Sequence, residues 1–327
     1  MKQIDIPTLP IKSTADAGTQ YVRNEAPKFL RSVIEKTHTI PFVKKLDDLN
    51  LEDVTPLAGG EEAATYLVLH GGEGVIVKFA TRGLRAEAEA LEEWSAKGVH
   101  VPKVYSYGIV PHTQSASQPI AYIVEEALVD KHGRLAETCE MYLHHTPEKA
   151  RYVGRLMGSE LTKLHSCLSE RSFGDFADSA ANTAAYGSWN TYLLDYFATQ
   201  QDYLLEHHVT ESQLEKIRKF METCKYVKQG GYLHGDFSVR NAVILPARDS
   251  VALFDPNPVI GDPSWDVAVL YNNEAFSRRH KDYDEAQTDR WQRDHQLLIG
   301  FRQGYDRKIS EPNLLTAQLV QSILHAT

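Results

Sequence analysis

Cysteine is scarce in this chain. Cys139, Cys167 and Cys224 lie far apart and none has a C-x-x-C neighbour, which argues against a disulfide framework and against a cysteine-built zinc site. A reducing, cytoplasmic setting is the expectation. No apolar run approaches the length of a membrane span. The first thirty residues mix Lys2, Asp5, Lys12, Asp16 and Arg23 with short apolar pieces and lack the apolar core of a signal peptide. A basic excess is missing as well: 35 Lys and Arg stand against 44 Asp and Glu, a formal charge of −9. That balance disfavours nucleic acid and anionic membrane as partners and mildly favours a cationic small molecule. No internal repeat or low-complexity tract appears, and the pairs His144-His145 and His207-His208 have no acids at ligand spacing.

What is present is the composition of a soluble globular protein, 42% hydrophobic and 24% charged over 327 residues, long enough for two lobes. Residues 1–50 read as a lead-in with a helix near Asn24–Lys36. From Leu51 the pattern turns strand-like: Leu57-Ala58-Gly59-Gly60, then Ala64–Leu69, a Gly71-Gly72 turn, and Gly74–Phe79. A helix over Leu84–Lys97 and a strand at Ala121–Val124 complete a small antiparallel lobe over 51–127. Residues 128–327 read as mostly helical. Thr146-Pro147-Glu148 predicts a helix start through a cap and an N1 proline, with Val153, Leu156, Leu161 and Leu164 on its buried face. Further helices are expected near Trp189–His207, Glu211–Val227 and Asp289–Tyr305, with catalytic strands and loops over 232–266.

The chemistry concentrates in Gly231-Tyr232-Leu233-His234-Gly235-Asp236-Phe237-Ser238-Val239-Arg240-Asn241, followed by Leu253-Phe254-Asp255 and by Gly261-Asp262-Pro263-Ser264-Trp265-Asp266. Asp236, Asn241 and Asp255 repeat the order of base, metal ligand and second metal ligand in a kinase catalytic loop. Phosphoryl transfer needs a divalent cation on the phosphates and a carboxylate aligning the acceptor hydroxyl, and these side chains answer that need. A His-Gly-Asp triplet alone would be a common turn; the downstream acids make the signal specific. Upstream, Lys78 ends an apolar strand and Glu87 or Glu89 lies on the next helix, the arrangement in which a lysine grips phosphate while a glutamate fixes it. Gly59 and Gly60 would let backbone approach phosphate, although the segment is no G-x-G-x-x-G.

Together these segments resemble the aminoglycoside phosphotransferase and choline kinase superfamily over roughly residues 51–275. Pro56-Leu57-Ala58-Gly59-Gly60 matches its phosphate-covering loop, Val77-Lys78 its lysine strand, and Arg85–Leu91 its glutamate helix; Leu161–Ser166 matches another recurrent segment. The resemblance implies an α+β, protein-kinase-like bilobal fold with ATP between the lobes. It makes Glu87 the partner of Lys78, with Glu89 as fallback. Val124-Glu125-Glu126-Ala127 becomes a hinge that binds adenine through the backbone of Glu125 and Ala127. It further makes Asp236 the group that orients the acceptor hydroxyl, Asn241 and Asp255 ligands of Mg2+, and Asp266 a brace of the catalytic loop. His165 and His234 become structural. Arg240 stands where many family members carry a small residue and is a candidate contact for the transferred phosphate or the acceptor, or else an ordinary salt bridge.

Phe254-Asp255-Pro256-Asn257-Pro258 replaces Asp-Phe-Gly, and no Ala-Pro-Glu follows, so a small-molecule acceptor is expected. By family analogy its walls would include Trp189, Tyr192, Asp195, Trp265, Tyr271, Asn272 and Glu274, for each of which core packing is the plainer account. A small, amine-bearing acceptor suits the acidic chain. An inactive nucleotide-binding scaffold and an atypical protein kinase are the alternatives. Oligomeric state is not readable.

Overall fold

The computed structural model describes residues 17–37, 54–57, 63–70, 73–81, 83–110, 119–130, 132–170, 172–176, 186–206, 209–275 and 285–324. The chain divides into two compact units, Met1–Ala96 with Val101–Ala136, and Lys97–His100 with Glu137–Thr327.

The first unit holds α1 (Ala17–Lys36), β1 (Val54–Leu57), β2 (Ala64–His70), β3 (Glu73–Ala80), α2 (Leu84–Ala96), β4 (Val104–Ile109) and β5 (Ala121–Glu126). Its strands form one antiparallel sheet in the order β1-β2-β3-β5-β4. Pro56 is tolerated because β1 is an edge strand, where a missing N–H costs no ladder bond. Alternation along β3 sorts the two faces. Val75, Val77 and Phe79 are fully buried in a cluster with Val22, Ala26 and Leu30 of α1, so the apparent lead-in supplies a third of the buried residues of this core. Ile76 and Lys78 take the other face, where Lys78 meets Glu87 of α2. Two readings needed extension. α1 begins well before Asn24 and runs through Pro27, and β4 is a half-buried strand whose weak alternation carried little signal.

The second unit is mostly helical: α3 (Cys139–His145), α4 (Ala150–Ser166), β6 (Gly174–Asp175), α5 (Trp189–Thr199), α6 (Gln201–Glu206), α7 (Glu211–Thr223), β7 (Gly231–Leu233), β8 (Ala242–Leu245), β9 (Ser250–Leu253), β10 (Val259–Gly261), α8 (Ser264–Ala275), α9 (Glu285–Gly304) and α10 (Glu311–Leu324). The fold class is therefore α+β. Thr146 stands at the N-cap position of a short 3-10 turn, Pro147–Lys149, that leads into α4 with proline in its first turn, but its side chain makes no capping bond there. Its hydroxyl donates back to Tyr142 O at 2.7 Å and closes α3, whose own N-cap is Thr138. The predicted inner face of α4 is buried, at Val153, Leu156, Leu161 and Leu164. α4 packs along α9 with backbones nearly in contact: a Cβ at Gly154 or Gly158 would strike the backbone of Leu297 or Phe301, and one at Gly300 or Gly304 that of Arg151 or Arg155. Small residues on both helices permit this approach. It sets α4's His165 against Tyr305, just beyond α9, with Nδ1 2.7 Å from the hydroxyl.

Candidate active site

In the second unit Asp236, Asn241 and Asp255 are gathered by backbone pairing. β8 and β9 form a hairpin in which Ala242 faces Leu253, and Phe254 N–H then donates to Asn241 O at 3.1 Å. The interval from Asn241 to Asp255 is thus one hairpin, with Pro246–Asp249 as its turn. Asn241 Nδ2 donates to Asp236 O at 2.9 Å and to Asp236 Oδ2 at 2.7 Å. The amide nitrogen is committed to Asp236, which leaves the amide oxygen available to a cation. Asp255 is exposed and has φ 54, in the left-handed region that aspartate tolerates better than most side chains. The loop before Asp236 is locked to the segment after Asp255. Asn257 N–H donates to His234 O at 2.9 Å, and Gly235, at φ 80, abuts Asn257 so closely that no Cβ fits.

Asp266 braces this arrangement. Fully buried on α8, its carboxylate accepts from His234 N–H at 2.7 Å, Gly235 N–H at 2.8 Å and His165 Nε2 at 2.9 Å. Arg307 hydrogen-bonds to His165 O and ties the end of α4 to the same cluster. His234 Nε2 lies 3.0 Å from Phe254 O; a carbonyl only accepts, so Nε2 carries the proton. Burial pushes this imidazole below its ordinary range, against the pull of Asp266 and Asp236, and keeps it neutral in an organising position.

In the first unit Lys78 Nζ lies 2.6 Å from Glu87 Oε1 and 3.0 Å from Glu125 Oε1, all three side chains at most 7% exposed. Glu89 pairs with Arg85 instead. The second carboxylate on Lys78 escaped the sequence reading, although a signal existed. In the antiparallel register Lys78 faces Ile123 and Ile76 faces Glu125, so Glu125 shares the lysine's face of the sheet.

The expected hinge contacts need correction. Val124 lies in the core under α1, and Glu125 is paired on both sides, with Ile76 and Val104, so its backbone is inside the sheet. Ala127 N–H donates to Gly74 O at 3.0 Å and is not free for a base. Leu128 N–H, by contrast, takes no backbone partner among the described residues. Gly59 and Gly60 lie outside the described residues.

Most of the aromatic residues expected to wall an acceptor are core. Trp189 is fully buried, stacked on Tyr192 and edge-on to Trp265, and Asn272 donates to Gln318 O. Tyr271 hydrogen-bonds Arg302. The side chain of Glu274 lies outside the described residues. What is exposed is acidic: Asp175 accepts from Tyr192 OH at 2.7 Å, and Asp195 accepts from Tyr186 OH. Asp175 is in register with Val259 of β10, which pairs with Leu233, next to His234. Arg240 is exposed and lines a cavity that excludes Asp236, Asn241 and Asp255, so the structure does not gather it with them.

The family model of the phosphotransferase enzyme family matches residues 53–305, and the chain belongs to that family. It is a phosphotransferase acting on hydroxyl groups, of the aminoglycoside phosphotransferase and choline kinase superfamily. No curated protein matches the sequence. Among solved structures the chain is similar to a thermostable mutant of aminoglycoside phosphotransferase APH(4)-Ia in ternary complex with AMP-PNP and hygromycin B. Identity there is 18%, with 92% of this chain and 97% of that one covered, at TM-score 0.55. The apo form of that mutant protein matches at 16% identity, 87% and 91% coverage and TM-score 0.55. At such identities the likeness is one of fold, and the fold is kinase-like. Among the described residues no helix is long and apolar enough to cross a membrane.

Proposed function

We propose that this small-molecule phosphotransferase transfers the γ-phosphoryl group of ATP to a hydroxyl of an amine-bearing acceptor. The observation that carries the reading is the hairpin that sets Asn241 beside Asp255 while Asn241 Nδ2 holds Asp236. Asp236 has the role of orienting the acceptor hydroxyl and receiving its proton, a step worth about 10²–10⁴ in rate. Lys78, fixed by Glu87 and Glu125, is the cation for the nucleotide phosphates. The base is assigned to the first backbone donor beyond the β5 ladder, Leu128 N–H, one residue past Ala127.

The donor set fits Mg2+. Asn241 Oδ1 and the Asp255 carboxylate are hard oxygen ligands, and Mg2+ commonly takes one or two protein oxygens and completes its shell with phosphate and water. Bound there, the ion would neutralise charge on the transferring group. The relatives crystallised with AMP-PNP or ADP support nucleotide use. The exposed carboxylates of Asp175 and Asp195, set among tyrosine rings near the catalytic loop, support a cationic acceptor.

The test is an ADP-release screen with Mg-ATP across aminoglycosides, amino sugars, choline-like amines and glycated amines. Acceptor-dependent release that vanishes in Asp236→Asn is expected. Tight ATP binding with no turnover on any acceptor would instead identify an inactive nucleotide-binding protein.

A further inference from the structure

A separate cavity of about 180 Å³ lies in the second unit against Ser238, Val239 and Arg240, walled by Glu140 of α3 and by Arg290, Arg293 and Asp294 of α9. Three guanidiniums meet two carboxylates in this wall. Asp294, 3% exposed, is the carboxylate already satisfied: Arg293 donates to its Oδ1 at 3.0 and 2.8 Å, and Arg290 Nε stands 3.9 Å from its Oδ2. Arg240 makes no side-chain hydrogen bond or ion pair among the described residues. Ser238 is 1% exposed, yet its Oγ has no hydrogen-bond partner among them. A buried hydroxyl left unpaired costs about 1–3 kcal/mol, and buried polar groups in native proteins are nearly always satisfied, by solvent or ligand if not by protein.

We propose that this cavity is an oxyanion site that takes the phosphate group of a small phosphate monoester. The guanidiniums of Arg240, Arg290 and Arg293 supply planar donor forks suited to a dianion, and Ser238 Oγ supplies a buried donor at its base. The inner space is below the roughly 300–1,000 Å³ of sites for whole organic ligands and suits the anionic group alone. It adjoins a groove of about 600 Å³ that shares Glu140, Arg290 and Arg293, where the organic part has room. Glu140 lines both spaces and has no side-chain partner among the described residues, which favours an ester bearing an ammonium group. Because Ser238, Val239 and Arg240 lie between Asp236 and Asn241 in the chain, occupancy of this site bears on the catalytic loop.

Calorimetric titration of the full chain, without nucleotide or Mg2+, uses O-phosphoethanolamine, inorganic phosphate and ethanolamine as probes. The ester is expected to bind more tightly than inorganic phosphate, and ethanolamine not at all. Arg290→Glu, an exposed position that leaves the fold intact by its unfolding midpoint, weakens the ester at least tenfold. Lys78→Met, titrated at a temperature where circular dichroism shows it folded, leaves ester binding unchanged. Absence of ester binding at millimolar concentration, binding that survives Arg290→Glu, or loss in Lys78→Met would overturn the site. Equal affinity for inorganic phosphate would overturn the ester assignment.

Discussion

Two buried polar clusters of this protein, around Lys78 and around Asp266, are built on opposite plans. Around Lys78 one ammonium faces two carboxylates carried by α2 and β5. Around Asp266 a single carboxylate is surrounded by N–H donors, two of them backbone amides of the catalytic loop. Charge holds the first cluster and hydrogen bonds to the main chain hold the second. The difference suits their tasks. A lysine that must turn to phosphate is best held by side chains that can exchange it, whereas a base that must stay aligned is best fixed through its own backbone.

In the proposed function the fixed cluster places Asp236, so the largest effect is expected there. Asp236→Asn is expected to lower kcat by about 10²–10⁴ while leaving the urea midpoint and ATP affinity nearly unchanged, since the amide keeps the shape of the side chain. Equal losses of turnover and stability would mean that Asp236 is a structural member of the loop.

Removing the brace should act on stability instead. Asp266→Ala strips three buried donors of their acceptor and is expected to cost about 3–5 kcal/mol in equilibrium unfolding. Lys78→Met should cost a similar amount at neutral pH, because it leaves two buried carboxylates facing each other. The two penalties differ in pH dependence. Facing carboxylates can share a proton, so the folded variant binds more protons than its unfolded chain, and the Lys78→Met penalty shrinks as pH falls toward about 5. Asp266→Ala leaves no pair of carboxylates to share a proton, so its penalty does not shrink by that route. Parallel pH profiles would erase the contrast between the clusters.

The legibility of the two regions in sequence follows the same division. Asp236, Asn241, Asp255 and Asp266 were readable because a hairpin and two tight loops fix them at short, regular intervals. The helical face of α4 was readable from its period. Glu125 on Lys78 was not, since it depends on strand register across more than forty residues, and a single glutamate among Glu125 and Glu126 looks like any other. The pairing of Ala127 N–H with Gly74 O has the same origin: where β5 stops pairing is a property of β3 and β4, not of residues 124–127 themselves. Thr146 opens the turn into α4 ahead of Pro147 yet spends its hydroxyl on closing α3, because a threonine before proline ends one helix as readily as it starts the next.

Below both clusters in expected size stands the helix packing that supports only one of them. Gly158→Ala forces α9 away from α4 and should cost about 1–3 kcal/mol, the usual range for overpacking. Because α4 and α9 carry the two sides of the His165–Tyr305 contact, the variant should also lower kcat, while nucleotide affinity at Lys78 stays constant. A change in ATP affinity without a change in kcat would break the assignment of this packing to the Asp266 cluster.

The smallest effects distinguish Glu87 from Glu89 on α2. Glu87→Gln keeps an oxygen for Lys78 but removes one of two charges from a buried cluster that retains Glu125, so about 1 kcal/mol of stability and a weaker hold on the lysine are expected. Glu89 faces Arg85, whose side chain is 50% exposed, and a screened surface pair of this kind is worth at most about 0.5 kcal/mol. Glu89→Gln should therefore leave the unfolding midpoint and KM for ATP within error, whereas Glu87→Gln shifts both. If the two variants behave alike, Lys78 is not held by charge from α2, and Glu125 alone is its anchor.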